Sequence, residues 1–154
     1  MALEPGTKAP SFKMESDDGG TVSLAGLKGN PFILYFYPKD DTSGCTREAI
    51  DFTKELKKFE KLGVAVIGVS KDSTASHGRF KTKHKLKVTL ASDPETKTAE
   101  AYGVWVEKSM YGRKYLGMER ATFLIDAKGV IREIWRKVKV PGHVEAVLTA
   151  AKSL

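Results

Sequence analysis

The sequence predicts an α/β domain in which helices flank a mixed central sheet. Two apolar runs of strand length, at 31–37 and 64–70, enclose a segment with helical spacing, which is the pattern of a right-handed strand–helix–strand unit. Residues 121–125 and 130–135 predict two strands joined by a tight turn at 126–129. Parallel and antiparallel pairs are both expected, and this combination favours a mixed sheet.

The N-terminal part of the chain predicts a β-hairpin. Residues 12–14 and 21–24 have strand character, and they flank an Asp-Asp-Gly-Gly turn at 17–20. Residues 26–30 predict a connector to the first apolar strand. Pro38 follows that strand and ends it, because proline has no N–H group for a sheet ladder.

The segment after Pro38 predicts a helix that carries the only cysteine of the chain, Cys45, in its first turn. Four apolar residues recur at the spacing of one helix face, namely Ala49, Phe52, Leu56 and Phe59. Gly63 is suited to end this helix.

The middle of the chain predicts two further helices. Helical spacing continues over 71–87, with a start near Asp72 or Ser73, and Leu90 follows in a short connection or strand end. A third helix is predicted over 93–103, with an Asp-Pro pair at its cap and first position.

The last third of the chain predicts a loop, the second hairpin and a final helix. Residues 104–106 indicate a short extended piece, and 109–117 a loop with two glycines. The final helix is predicted over 141–152, and three apolar residues share one of its faces, Val144, Val147 and Leu148.

Length and composition predict one domain over residues 1–154. The chain has a mass of 16.9 kDa with 41% hydrophobic and 29% charged residues, which is typical of a globular protein. No apolar run is long enough for a membrane span, and the start lacks the pattern of a secretory signal. The single cysteine excludes an internal disulfide and is compatible with a cytoplasmic location.

The net charge of +7 raises the alternative of a basic binding module without enzymatic activity. The lysines and arginines are dispersed over the polar faces of predicted helices, with no aromatic residues interleaved. A solvated surface is therefore the expectation, with neither nucleic acid nor membrane as a partner.

Cys45 is the main candidate for chemistry. The first turn of a helix has unpaired N–H groups and the positive end of the helix dipole, so it stabilises a thiolate. Thr42 and Ser43 can cap the helix or bond a ligand there. The alternative is an inert, buried cysteine, which is the common state of a free cysteine.

The residues around Cys45 resemble a known family. Pro38, Thr42 and Cys45 have the spacing P-x-x-x-T-x-x-C, which resembles the active-site motif of the peroxiredoxins. The string YFYPKDDTSGCTREA at 35–49 closely resembles the Q-type subfamily, the bacterioferritin comigratory proteins. Residues 92–105 and 119–131 resemble it too, so the resemblance covers nearly the whole chain.

This resemblance implies a thioredoxin-like fold and a thiol-dependent peroxidase that reduces hydrogen peroxide and organic hydroperoxides in antioxidant defence. It implies that Cys45 is the peroxidatic nucleophile, and Arg120 matches the position of the family's arginine. Breaking an O–O bond requires a thiolate and donors that polarise the bond and stabilise the leaving oxygen. Thr42 and the N–H groups of Gly44 and Cys45 are the candidate donors, and Pro38 is placed to shield the sulfur from water.

The chain departs from the subfamily in one important respect. Many Q-type members carry a second cysteine five residues after the first, where this chain has Ile50, or in the following helix, where it has none. We therefore expect an external thiol, such as thioredoxin, glutaredoxin or glutathione, to reduce the oxidised Cys45. The chain is expected to be a monomer or weak dimer, without a cofactor or metal.

Two alternatives concern single residues. Without the resemblance, Arg120 would be expected to be a surface arginine that pairs with a carboxylate such as Glu119, because most arginines are exposed. A cysteine hydrolase would need a histidine beside Cys45. His77, His84 and His143 lack such a spacing, so solvated histidines are expected.

Overall fold

The computed structural model describes residues 3–154. Within that range the strands are β1 (Lys13–Ser16), β2 (Thr21–Ser23), β3 (Phe32–Phe36), β4 (Ala65–Ser70), β5 (Thr89–Ser92), β6 (Trp105–Met110), β7 (Arg113–Met118), β8 (Ala121–Ile125) and β9 (Ile131–Trp135). The helices are α1 (Leu24–Leu27), α2 (Ser43–Lys61), α3 (Thr74–His84), α4 (Lys97–Ala101) and α5 (His143–Ala151).

Seven of these strands form one mixed sheet in the order β2-β1-β5-β4-β3-β8-β9. Strand β3 pairs in parallel with β4, as the predicted strand–helix–strand unit requires, and it pairs antiparallel with β8, which makes the sheet mixed. All five residues of β3 are buried because both faces of the sheet are covered. The N-terminal hairpin of β1 and β2 and the hairpin of β8 and β9 are likewise confirmed.

The side chains of β3 alternate between two hydrophobic clusters. Ile33 and Tyr35 point to the face covered by α2, α3 and α5, while Phe32 and Leu34 point to the face covered by α4 and the N-terminal segment. Phe52 of α2 is fully buried, and its ring stacks on Tyr35 at 4.5 Å between centroids. Truncating such a phenylalanine to alanine costs about 3–5 kcal/mol, so this contact anchors α2 on the sheet.

The helix boundaries differ from the prediction at α4. The helix begins at Lys97, so Pro94 is not its first residue. Asp93 lies four residues before the helix and still caps its N-terminus, because its carboxylate accepts from the N–H groups of Thr98 and Ala99. The residues around Leu90 form β5, a full strand between β1 and β4.

The predicted loop at 109–117 is wrong, because β6 and β7 form an antiparallel hairpin over this segment. Their two-stranded sheet is separate from the main sheet and largely exposed. Trp105 and Met118, at the base of this hairpin, pack against the core, and the exposed remainder has no alternating apolar pattern that could have revealed it. In the described part of the chain, no helix is both long and apolar enough to cross a membrane.

Candidate active site

Cys45 lies in the first turn of α2, just after the segment that connects this helix to strand β3. The Tyr37 N–H group still donates to the Val69 carbonyl at 3.0 Å, and the ladder stops at Pro38, which has no N–H group. Thr42 is the N-cap of α2 with extended backbone angles, so Cys45 is the third helical residue, as predicted.

The N-terminus of α2 offers unpaired donors beside the sulfur. The first hydrogen bond of the helix joins the Thr46 N–H group to the Thr42 carbonyl at 2.8 Å. The N–H groups of Gly44 and Cys45 therefore have no partner within the helix. Together with the helix dipole, they favour negative charge at this position.

Arg120 supplies a cation at the sulfur. Its Nη2 atom donates to Cys45 Sγ at 3.4 Å. A Cβ atom added to Gly44 would lie 2.9 Å from Nη2, so the absence of a side chain at Gly44 permits this approach. Pairing with Glu119 is wrong, because Glu119 binds Arg136 through contacts of 2.7 and 3.1 Å.

Glu48 holds the other side of the Arg120 guanidinium, with its Oε1 atom 2.8 Å from Nη1. The Glu48 side chain is fully buried, and its Oε2 atom has no hydrogen-bond partner in the described residues. Burial raises the pKa of Glu48 to about 7, although the charge of Arg120 opposes this rise. Burial also acts against the charge of Arg120, but Glu48 and Cys45 outweigh it, and the pKa of Arg120 is raised.

His143 lies behind this pair. Its Nε2 atom is 2.8 Å from Thr122 Oγ1 and 4.0 Å from Glu48 Oε2. Burial, with help from the charge of Arg120, lowers the pKa of His143 to about 4, so the imidazole is neutral at pH 7. Arg120 is thus the cation that faces both Glu48 and the sulfur.

Thr42 and Pro38 lie at the outer side of the site, and both are exposed. The Thr42 hydroxyl does not cap α2, which the sequence left open. It donates to the Lys39 carbonyl at 2.7 Å, so its lone pairs remain available to a ligand. No direct hydrogen bond joins Thr42 to Cys45 among residues 3–154.

Sequence reasoning did not find Glu48 or Lys108, and it considered His143 only as a solvated histidine. Lys108 of β6 faces the site, and burial together with the charge of Arg120 lowers its pKa while Cys45 acts in the opposite direction. Glu48 follows Cys45 by three residues, which places the two on one side of a helix, so its spacing was a usable signal. Lys108 belongs to the hairpin that the sequence did not predict.

The expectation of solvated histidines is wrong for two of the three. His77 and His143 are buried, and His84 pairs with Asp41 at 2.7 Å. None of them hydrogen-bonds Cys45, whose hydrogen bond in the described chain comes from Arg120. The site therefore lacks the Cys–His pair that a cysteine hydrolase needs.

Comparisons with known proteins agree with this geometry. The sequence profile of the AhpC/TSA family matches residues 5–134. A putative peroxiredoxin Bcp of Coxiella burnetii is 52% identical over 148 residues, which cover 96% of this chain and 98% of that protein. Peroxiredoxin Bcp of Bacillus subtilis is 48% identical over 154 residues, which cover 100% of this chain and 98% of that protein.

Solved structures confirm the thioredoxin-like fold. The bacterioferritin comigratory protein of Xanthomonas campestris, studied for its alkyl peroxide reduction activity, matches with a TM-score of 0.91 and 39% identity over 97% of this chain and 98% of that one. A mutant PrxQ of Xylella fastidiosa matches with a TM-score of 0.93 and 36% identity over 99% of this chain and 98% of that one. By sequence and by fold, the chain belongs to the AhpC/TSA family and is a thiol peroxidase, a peroxiredoxin of the Q, or Bcp, type.

Proposed function

We propose that Cys45 is the nucleophile that reduces hydrogen peroxide and organic hydroperoxides, and that an external thiol then restores it. The observation that carries this proposal is the 3.4 Å contact between Arg120 Nη2 and Cys45 Sγ at the N-terminus of α2. A cysteine with a packing role alone has no use for a guanidinium beside its sulfur, since withdrawing that charge from water costs free energy.

In the first step, the Cys45 thiolate attacks one oxygen of the peroxide. The S–O bond forms as the O–O bond breaks, and the second oxygen leaves with the electron pair and takes up a proton. The products are a sulfenic acid on Cys45 and water or an alcohol. The sulfur is thus oxidised by two electrons and the peroxide is reduced by two.

Five groups are proposed to assist this step. The Arg120 guanidinium stabilises the thiolate and, through its planar fork of donors, the charge that develops on the oxygens. The N–H groups of Gly44 and Cys45 orient the peroxide at the helix N-terminus. Thr42 accepts the peroxide O–H, because its own hydrogen is committed to the Lys39 carbonyl. Pro38 limits the access of water.

The second half of the cycle requires the site to open. The Cys45 side chain is only 1% exposed. A small peroxide can reach a sulfur at this depth, but the thiol of another protein cannot. Local unwinding of the first turn of α2 would expose it. One external thiol then forms a mixed disulfide with Cys45 and releases water, and a second thiol displaces Cys45. A dithiol protein of the thioredoxin class supplies both, and we propose it as the reductant.

The decisive experiment measures peroxide loss on mixing with a stoichiometric amount of reduced protein, without added thiol. One equivalent of peroxide should disappear for each chain, and Cys45→Ser should consume none. Peroxide loss that survives this substitution would exclude Cys45 as the nucleophile. Wild-type protein that consumes no peroxide would contradict the proposal directly.

A further inference from the structure

A buried polar group lies behind the segment that connects β3 to α2, and the reaction steps above do not use it. It consists of Tyr37 after β3, Asp40 in the connection, and Ser76 and His77 on α3. We call these four residues the Asp40 cluster. Asp40 is buried, and His77 has no exposed surface. Burying such groups is costly unless they are paired, so their pairing shows what they hold together.

The Asp40 carboxylate is contacted by three side chains. Tyr37 Oη donates to Oδ1 at 2.5 Å, and Ser76 Oγ donates to Oδ2 at 2.8 Å. His77 Nδ1 lies 2.7 Å from Oδ2. The backbone N–H group of Asp40 donates to Asp72 Oδ2 at 2.8 Å. Both the side chain and the backbone of this one residue are therefore fixed to neighbouring elements.

The partners of His77 determine the charge of the cluster. Its Nε2 atom lies 2.9 Å from the Ala91 carbonyl oxygen, which only accepts, so Nε2 carries a proton. The 2.7 Å contact between Nδ1 of His77 and Oδ2 of Asp40 requires one further proton between them, since neither atom can donate without it. The pair is neutral overall whichever atom holds that proton. It therefore anchors the connection without adding net negative charge near Cys45.

The anchored connection carries the hydroxyl that we assign to the peroxide. Thr42 Oγ1 donates to the carbonyl of Lys39, the residue before Asp40. The position of Asp40 therefore determines the orientation of this carbonyl and, through it, of the Thr42 hydroxyl. Asp41, on the other side, has a φ of 60°, a left-handed conformation that is strained for a residue with a side chain. A strained bend of this kind persists only where surrounding contacts hold it.

We propose that Asp40 and His77 are positioning residues of the peroxidase, which hold residues 38–42 so that Thr42 and the first turn of α2 meet the peroxide in reactive geometry. This assignment rests on the role proposed above for Thr42. It adds residues on α3 to a site otherwise built from α2 and the start of β8.

The same connection offers a matched control at the surface. Asp41 binds Lys83 at 2.6 Å and His84 at 2.7 Å, so it also joins residues 38–42 to α3. These side chains are exposed in part, and exposed ion pairs contribute little because water and salt screen them. Asp41→Asn removes this surface tie and keeps a residue type that tolerates the left-handed conformation.

The experiment compares variants of the full chain in two reactions, the oxidation of reduced Cys45 by hydrogen peroxide and its alkylation as a function of pH. Asp40→Ala should lower the rate constant for peroxide about 10- to 100-fold, as small misplacements of reacting groups do. The pH midpoint of alkylation should stay unchanged, because the pair that is lost is neutral. Asp40→Asn should stay within about threefold of the wild type, because an amide can still accept from Tyr37 and donate to His77 Nδ1.

Asp41→Asn should react like the wild type. The positioning role would be overturned if Asp40→Ala folds and reacts at the wild-type rate, or if its alkylation midpoint rises. It would also be overturned if Asp40→Asn is as slow as Asp40→Ala.

If Asp40→Ala does not fold, Tyr37→Phe decides the matter, since it removes one donor and keeps the ring. It should slow the peroxide reaction about three- to tenfold, and a wild-type rate would contradict the proposal. Cys45→Ser tests the proposed function separately, because only that function predicts its complete inactivity.

Discussion

Glu48 and Arg120 form an ion pair inside the protein, with Glu48 Oε1 2.8 Å from Arg120 Nη1. The other terminal nitrogen of the same guanidinium contacts Cys45 Sγ, so a single cation is shared between a carboxylate and a sulfur. Glu48 is fully buried, whereas the Arg120 side chain keeps 16% of its exposure. How much positive charge the sulfur experiences therefore depends on the state of Glu48.

We predict that Arg120→Ala slows the oxidation of Cys45 by peroxide about 100-fold or more, which is the usual cost of losing one donor at a developing charge. It should also raise the pH midpoint of Cys45 alkylation, because the thiolate loses its cation. Stopped-flow oxidation and the alkylation rate as a function of pH provide the two readouts. Arg136→Ala, which removes an arginine bound to Glu119, is the matched control and should leave both unchanged. An unmoved midpoint in Arg120→Ala would mean that the guanidinium does not act on the sulfur.

A second prediction concerns the pH dependence of stability. Burial raises the pKa of Glu48 in the folded chain from 4.5 to about 7, so its contribution to stability is complete below pH 4.5 and is lost as the pH rises towards 7. Burial lowers the pKa of His143 from 6.5 to about 4, so its contribution is complete above pH 6.5 and is lost as the pH falls towards 4. The two contributions oppose each other between these limits.

Glu48→Gln should separate them. Relative to the wild type, this variant should gain free energy of unfolding as the pH rises from about 4.5 to about 7, by on the order of 3 kcal/mol. Urea unfolding at several pH values measures this difference, and His143→Gln should shift in the opposite direction, losing stability relative to the wild type as the pH rises. A constant difference between Glu48→Gln and the wild type would show that Glu48 titrates in the same range when folded as when unfolded.

The sequence predicted the parts of the site that are consecutive in the chain. Cys45 and Thr42 follow a strand and open a helix, and that local pattern alone places a thiol at a helix N-terminus. Arg120 lies 75 residues further along, and its position followed from the resemblance to the peroxiredoxins and not from any periodicity. Glu48 was missed although its spacing from Cys45 was visible, because its burial depends on the packing of α5 against α2, which the sequence does not show.

The fold also has parts that the sequence reveals and parts that it does not. Strand β3 was predicted because all its residues are apolar, which reflects burial on both faces of the sheet. The β6–β7 hairpin was missed because its strands pair with each other and touch the core only at their base, so most of their residues could remain polar. Its exposed Tyr111 lies at the turn. Pairing of this kind depends on backbone hydrogen bonds, which leave little trace in side-chain hydrophobicity.

The buried hydroxyl of Tyr35 leads to a prediction about the stability of the fold. Its hydroxyl is buried and has no hydrogen-bond partner in the described residues, while its ring stacks on Phe52. Tyr35→Phe should raise the free energy of unfolding by about 1 kcal/mol, because an unsatisfied polar atom is removed and the ring contacts remain. Tyr37→Phe is the matched variant and should lower it by a similar amount, because the Tyr37 hydroxyl is bonded to Asp40. Equal effects of the two substitutions in urea unfolding would contradict this account.

Ile50→Cys tests whether the start of α2 unwinds. Five residues along a helix separate Cα atoms by about 7.5 Å along the axis, and a disulfide requires about 7 Å or less. A bond between Cys45 and a cysteine at this position therefore forms only if the first turns open. We expect one equivalent of peroxide to convert this variant to an internal disulfide, seen as a loss of two mass units and of all free thiol. Ile50→Ser is the control, and a variant that accumulates sulfenic acid without a disulfide would indicate that α2 stays closed.

The last prediction concerns inactivation by excess peroxide. A resolving thiol within the chain would capture the sulfenic acid at a high effective concentration, but the sequence has no second cysteine. Ile50 packs against the core cluster that contains Cys45, which favours the folded start of α2 and keeps the oxidised sulfur beside Arg120, where we propose that peroxide binds. We therefore expect increasing amounts of peroxide, without added thiol, to oxidise Cys45 to sulfinic and sulfonic acid, with some disulfide-linked dimer through Cys45.

Intact mass spectrometry should show additions of two and three oxygen atoms. An added dithiol reductant or the Ile50→Cys substitution should suppress these additions. Wild-type protein that stops at sulfenic acid under a large excess would show that the fold protects the sulfur from a second peroxide.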